Sequence, residues 1–263
     1  MYDFAYHKPS SVADAVALLG DSEAKALAGG QTFIPVLKQR LNKPSAVVDL
    51  SGLGLSGITV TATTVTIGAT TTHITVANSA EVKKAIPGLA NLASWIGDVA
   101  VRYRGTIGGS LANNDPTACY PSAALALGAT IKTNTREIAA DDFFQGMFTT
   151  ALEPGEIIVS VSFPIPQASA YEKFRNPASR YAMVGVFVAK TASGVRVAVT
   201  GASQGGVFRH TAFETALSAN FSAGALDGIA TPADGLNSDI HGSAAYRAHL
   251  VGVMAKRAVA AAA

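Results

Sequence analysis

Two glycine pairs, Gly29-Gly30 and Gly108-Gly109, constrain this chain more than any other feature it has. The first closes a short apolar run at 25–28, which reads as a strand. It is followed by 33–41, where Phe33, Ile34, Leu37 and Leu41 recur at helical spacing opposite Lys38, Gln39 and Arg40. That order predicts strand, glycine turn and helix, with Thr32 as N-cap and Pro35 accommodated in the first turn. The second pair lies in Thr106-Ile107-Gly108-Gly109-Ser110, between hydroxyls that can donate to phosphate oxygens. Glycine lets a backbone come close to a ligand, and a helix beginning there turns unsatisfied N–H groups toward whatever fills the turn. An anion suits each turn, and a pyrophosphate suits the two together. Either pair alone is also what an ordinary tight turn looks like. Neither fits G-x-G-x-x-G or G-x-x-x-x-G-K-[ST], so a Rossmann or P-loop fold lacks its fingerprint.

The rest of the chain predicts an α+β protein. Helical spacing covers 10–19, and 47–50 reads as a strand, so the first fifty residues suggest a small parallel unit. Ile58, Val60, Val65 and Ile67 alternate with threonines around a turn at 61–64, the pattern of an antiparallel hairpin. Leu89, Leu92, Ala93 and Ile96 return to helical spacing, an apolar helix follows near 123–127, and strands are expected at 129–132 and 157–163. Pro164-Ile165-Pro166-Gln167 marks a boundary between a unit at 1–168 and a smaller one at 169–263. Beyond it, 183–190 and 195–200 form a hairpin turning at Ser193-Gly194, and helices are expected at 211–217 and 244–262.

Composition narrows the function classes. The 263 residues carry 20 basic and 18 acidic side chains, a balance that leaves no basic excess for a phosphate backbone, so nucleic acid is not expected as a partner. The single cysteine, Cys119, excludes an internal disulfide and any iron–sulfur or thiolate zinc site built from this chain alone. No metal site is expected either, because His7, His73, His210, His241 and His249 show no ligand spacing. The first ten residues lack a basic segment followed by an apolar stretch, and no apolar run approaches the ~20 residues of a membrane span, so a soluble, cytoplasmic protein is expected. Charged residues make up only 14%, against about 25% in typical soluble domains, and mean hydropathy is +0.29. A chain so short of charge reads as a subunit partly covered by partners, or as an alanine-rich product of genome composition.

The runs LAGGQTFIPVLKQRLNKPSAVVDLSGL, TIGATTTH, IGDVAVRYRGTIGGSLANNDP and SDIHGSAAYRAHLVGVMAKRAV resemble the FAD-binding medium subunits of the molybdenum hydroxylases. Among these they are most similar to the carbon monoxide dehydrogenase medium subunits, in order and over nearly the whole chain. The resemblance implies a flavoprotein fold of the vanillyl-alcohol oxidase (PCMH) type with two α+β subdomains at 1–168. It also implies a C-terminal domain at 169–263 with a three-stranded antiparallel sheet and helices. It implies an oxidoreductase subunit that takes electrons from [2Fe-2S] clusters in a small subunit and passes them from FAD to an external acceptor. Substrate would be oxidised at a molybdenum cofactor in a large subunit, within a dimer of heterotrimers. No catalytic residue is expected in this chain.

The resemblance also assigns residues. Lys25, Leu27, Ala28, Gly29, Gly30, Gln31 and Thr32, with Thr106, Ile107, Gly108, Gly109 and Ser110, would wrap the FAD diphosphate through backbone N–H groups. Lys173 would lie near the isoalloxazine, Tyr181 would flank the ring, and Ile158 and Ile96 would contact the cofactor. Cys119 falls where the family's DPAAD-like motif has a carboxylate, since this chain reads Asp115-Pro116-Thr117-Ala118-Cys119. From the residues alone, Lys173 reads equally as a solvated lysine, Tyr181 as a half-buried strand residue, and Arg102 and Arg104 as surface or interface groups. Two other readings remain at this stage: an assembly subunit that has lost FAD, which Cys119 favours, and a self-sufficient flavin oxidase, for which no catalytic base is visible.

Overall fold

The structure, a computed structural model, describes residues 1–262. The chain opens with β1 (Ala5–His7), α1 (Val12–Leu19), β2 (Lys25–Leu27), α2 (Phe33–Lys38) and β3 (Ala46–Asp49), whose strands form a parallel sheet in the order β1-β3-β2. Ser11 caps α1 by accepting the Asp14 N–H, and Ala15 and Leu19 face a small core with Val48 and Ile157. Helix α2 is shorter than its spacing predicts. It stops at Lys38 because Arg40 turns left-handed (φ +58°) and the Leu41 N–H returns to the Val36 carbonyl. Thr32 does not cap it with its side chain: its backbone is helical (φ −104°, ψ −50°), not the extended form that aims a hydroxyl at the first-turn amides.

The second layer runs through β4 (Ile58–Val60), β5 (Thr64–Gly68), α3 (His73–Asn78), α4 (Ala80–Ala85), α5 (Pro87–Ser94), α6 (Val99–Arg104), α7 (Ile107–Asn113) and α8 (Tyr120–Leu127). It continues with β6 (Thr130–Thr133), β7 (Glu137–Ala139), α9 (Ala140–Phe143), the small hairpin β8 (Phe144–Gly146) and β9 (Thr149–Thr150), and β10 (Ile158–Pro164). The antiparallel sheet has the order β4-β5-β10-β6-β7, and the expected hairpin closes with the Thr61 N–H on the Thr64 carbonyl. Last in sequence but central in the sheet, β10 is paired on both sides, and its Val161 and Phe163 are fully buried.

Beyond Pro164 come β11 (Ala168–Arg175), β12 (Ala182–Thr191), β13 (Gly194–Thr200), β14 (Phe208–Arg209), α10 (Thr211–Ala219) and α11 (Ala244–Ala262). The expected three-stranded antiparallel sheet is present, with β14 added as a two-residue edge strand. Helices α10 and α11 cover one face through Phe213, Leu217, Leu250, Val251 and Met254. The other face meets α8, all of whose residues are buried. A helix apolar all round has to be enclosed on every side, and the alanines of YPSAALAL let strands and helices approach it closely.

Candidate functional site

One cleft of about 700 Å³ runs between the parallel unit, the second layer and the edge of the C-terminal sheet. Every residue that the resemblance assigned lines it except Ile107. The first glycine segment enters from the end of β2. Gly29 has no room for a side chain: a Cβ there would be driven into the Arg104 carbonyl and would lie 2.8 Å from the Gly105 Cα. Gly30 adopts φ +71°, and its carbonyl accepts the Ile34 N–H that opens α2. Among the described residues, the N–H groups of Gly29, Gly30, Gln31 and Thr32 make no hydrogen bond within the chain. They form a row of free donors on the cleft wall.

The second glycine segment differs from its expectation. Gly108 and Gly109 lie inside the first turn of α7, after Thr106, and their amides are not bare. The Gly108 N–H donates to the Ala69 carbonyl (2.8 Å), the Gly109 N–H to Thr106 Oγ1 (3.2 Å) and the Ser110 N–H to the Thr106 carbonyl (3.0 Å). Ile107 is corrected in the same way: it is fully buried in the core and its N–H donates to the Thr71 carbonyl (3.1 Å). The first residue of α7 is pulled into the sheet, so its side chain faces inward. The missing side chain of Gly108 makes room for Ala69 in the core, and what this segment offers the cleft is the bare Cα of Gly109 with the Ser110 side chain beside it. The two segments face each other closely, since a Cβ on Gly109 would come within 4.0 Å of the Ala28 Cβ.

The far wall is assembled from elements distant in sequence. Ile96 follows the end of α5, Cys119 is the residue before α8, Ile158 begins β10, Lys173 lies on β11 and Tyr181 precedes β12. The loop carrying Cys119 is pinned to the C-terminal sheet, because the Thr200 hydroxyl donates to the Pro116 and Ala118 carbonyls at 3.0 and 2.7 Å. Lys173 is 6% exposed; its Nζ donates to the Trp95 carbonyl at 2.6 Å and to Cys119 Sγ at 3.5 Å. Tyr181 follows two left-handed non-glycine residues, Ser179 (φ +56°) and Arg180 (φ +59°), and its hydroxyl accepts from Asn176 Nδ2 at 2.9 Å.

The charges of the cleft suit an anion. Lys25 and Lys173 both line it, and among the described residues neither pairs with a carboxylate; the Lys25 ammonium donates to the Ser22 carbonyl. The cleft's Glu156 is already committed: hydrogen bonds from Arg136, then from Thr133, the Glu153 N–H and Thr135, hold its carboxyl at about 2. Asp115 Oδ1 is taken by the N–H and hydroxyl of Thr117.

His73, which closes the TIGATTTH run and received no role from the sequence, also lines the cleft. Its N–H donates to the Gly105 carbonyl and its ring lies against the Gly105 backbone, behind the meeting point of the two glycine segments. Burial, with Arg102 nearby, lowers its pKa to about 4, and its Nδ1 is buried without a partner. No spacing rule reveals such a residue, because its neighbours come from another helix. Arg102 is drawn in by the Ile96 and Gly97 carbonyls, whereas Arg104 is exposed. No cluster of potential metal ligands occurs among the described residues.

This geometry defines a dinucleotide-binding wall of the FAD-binding type. The family described as "FAD binding domain in molybdopterin dehydrogenase" matches residues 2–166, and the chain belongs to it. More particularly, the chain is a medium subunit of the molybdenum hydroxylases, an oxidoreductase subunit. It is 36% identical to the carbon monoxide dehydrogenase medium chain of Afipia carboxidovorans, over 97% of this chain and 95% of that one. It is 35% identical to the nicotine 6-hydroxylase medium subunit of Paenarthrobacter nicotinovorans, over 97% and 95% of the two chains. Its structure matches that of the Cu,Mo-CO dehydrogenase with a TM-score of 0.89 at 34% identity, covering 100% of this chain and 98% of the other. It matches quinoline 2-oxidoreductase from Pseudomonas putida 86 equally well, with a TM-score of 0.89 at 30% identity and 99% and 96% coverage.

FAD fits the residues present. The four free amides at 29–32 answer a diphosphate, Gly29 lets their loop close on the Gly105 backbone, Gly109 keeps a side chain out of the passage beside Ala28, and two unpaired lysines complement the negative charge. No helix among the described residues is long and apolar enough to cross a membrane.

Proposed function

We propose that this chain is the electron-transfer flavoprotein subunit of a three-part molybdenum hydroxylase. In that assembly, substrate is oxidised at a molybdenum cofactor in a large subunit, and electrons reach this chain from [2Fe-2S] clusters in a small subunit and leave for an external acceptor. When bound, FAD supplies the exchange between one- and two-electron chemistry that such a junction needs. The observation that carries this reading is the single cleft in which free amides, a glycine-cleared passage and unpaired lysines converge.

The chain's own residues bind and shield. Gly29, Gly30, Gln31 and Thr32 would donate N–H groups to the diphosphate, and Lys25 would add a positive charge on the same cleft wall. Thr106, Gly108, Gly109 and Ser110 form the opposite wall of the passage, where the bare Cα of Gly109 would admit the phosphates. Ala28 faces Gly109 across the passage, and Leu27 packs beside Gly30. Ile96 and Ile158 would exclude water from the ring system, Lys173 would place a cation beside it, and Tyr181 would pack against it. In keeping with subunits that enclose one another, large apolar side chains remain exposed at Val99 and Tyr103 on α6 and at Met147 and Phe148 on the β8–β9 tip. The units at 1–168 and 169–263 act as cofactor domain and C-terminal buttress in a cytoplasmic dimer of heterotrimers.

Co-purification of the chain with its two partner subunits, followed by release and identification of the bound chromophore, tests the reading. One FAD per chain is expected. An intact complex that releases no flavin on denaturation would instead leave an assembly subunit that has lost its cofactor.

A further inference from the structure

Lys173 is a nearly buried lysine with no acid to answer it. Its Nζ is held by two neutral acceptors, the Trp95 carbonyl at 2.6 Å and Cys119 Sγ at 3.5 Å, and no described carboxylate forms an ion pair with it. Its β11 neighbour Glu172 is half-buried and makes no bond to it. Tyr171, two residues away on the same face of β11, is fully buried with its hydroxyl unpartnered and close enough to Cys119 to be influenced by it. A charge taken out of water is costly unless something cancels it, and here nothing in the chain does. Both Lys173 and Cys119 line the cleft, so the field of that ammonium is directed at whatever the cleft holds.

We propose that Cys119 is a positioning residue that fixes the Lys173 ammonium on the cleft wall while leaving its charge uncancelled, so that the bound flavin is easier to reduce than it would be beside a carboxylate. The inference rests on the FAD reading. Reduction adds negative charge to the ring, and a cation a few ångströms away stabilises the reduced form through a poorly screening interior. A thiol and a carbonyl orient the ammonium without neutralising it. A carboxylate in place of the thiol would pair with Lys173 and remove most of its field from the ring.

The test is the midpoint potential of the flavin in the intact complex, titrated against a reference dye, for wild type, Cys119→Ser, Cys119→Asp and Lys173→Met. Cys119→Ser keeps a neutral acceptor and is expected to stay within threefold of the wild-type reduction equilibrium. Cys119→Asp is expected to disfavour reduction at least tenfold, about 30 mV for a two-electron couple, and Lys173→Met to shift it the same way. Cys119→Asp at the wild-type potential, or Cys119→Ser shifted as far as Cys119→Asp, overturns the proposal. Flavin released from a denatured aliquot before the titration separates the two claims: a wild-type complex without FAD defeats the parent reading, whereas a flavin-loaded complex with unmoved potentials defeats only this one. If Cys119→Asp does not assemble, equal potentials in Lys173→Met and wild type overturn the proposal by themselves.

Discussion

At the scale of single residues, the two glycine pairs have different physical roles, which substitution separates. A methyl group on Gly29 collides with the backbone at Arg104, so Gly29→Ala is expected to lose FAD and also to lose about 1–3 kcal/mol of stability, an overpacking cost. A Cβ on Gly109 would press on the Thr106 cap hydroxyl at 2.9 Å, a side chain and not backbone, and would face Ala28 across the passage, so Gly109→Asp is expected to lose less stability than Gly29→Ala while its carboxylate repels the diphosphate and empties the site. Flavin-to-protein ratio and thermal unfolding, read together on both variants, check this; full flavin content in Gly109→Asp would refute the assignment of the second segment. His73 supplies a pH dependence. The unfolded chain protonates it near 6.5 and the folded chain only near 4, so between those values the unfolded state binds more protons and stability falls as pH falls. The loss approaches about 3 kcal/mol below pH 4. His73→Gln should flatten that part of a denaturation-midpoint curve, and an unchanged slope from pH 6.5 to 4 would show that His73 is not its source.

The element scale shows what was legible before the fold was known. Helix α1, the β4–β5 hairpin, the β12–β13 hairpin turning at Ser193-Gly194 and α11 follow from periodicity and turn chemistry, because each is stabilised by neighbours in sequence. Thr32, Ile107 and the amides of 107–110 resisted that reasoning. The Ile107 and Gly108 N–H groups are spent on Thr71 and Ala69, which arrive from another segment, whereas Gly109 and Ser110 are satisfied locally by Thr106 as the cap of α7. The turn from β6 to β7 and the segment before β10 behave likewise: Arg136 grips Glu156 in a bidentate pair at 2.9 Å beside the cleft. The folded pKa of Glu156 is depressed to about 2 from 4.5, so its contribution is present above pH 4.5 and is lost as pH falls toward 2. Arg136 is exposed, so solvent screens the pair, and Arg136→Met is expected to lower the urea midpoint modestly at pH 7 and much less near pH 2. Urea midpoints at the two pH values decide this, and an equal loss at both would assign the cost to packing and not to charge.

For the whole molecule, the cleft is a seam: its walls come from the parallel unit, the five-stranded layer and the C-terminal sheet, so a ligand there ties three parts together. Removing FAD is therefore expected to lower the melting temperature of the complex, and adding it back to restore it in a concentration-dependent way, by about 2.7 kcal/mol at a hundredfold excess over the dissociation constant. An apoprotein that melts with the holoprotein would mean that the cofactor bridges nothing.

What the amino-acid order determined alone was local: where helices and hairpins begin, which loops are free of side chains, and, through resemblance along nearly the whole chain, the family. What only the tertiary structure decided was which donors remain free and which charges remain unanswered. The N–H groups of 29–32 are open while those of 107–110 are occupied, and Lys173 meets a carbonyl and a thiol but no acid. The reason is that hydrogen-bond satisfaction and charge pairing in the interior are settled by groups tens of residues apart, which sequence neighbourhood does not bring together.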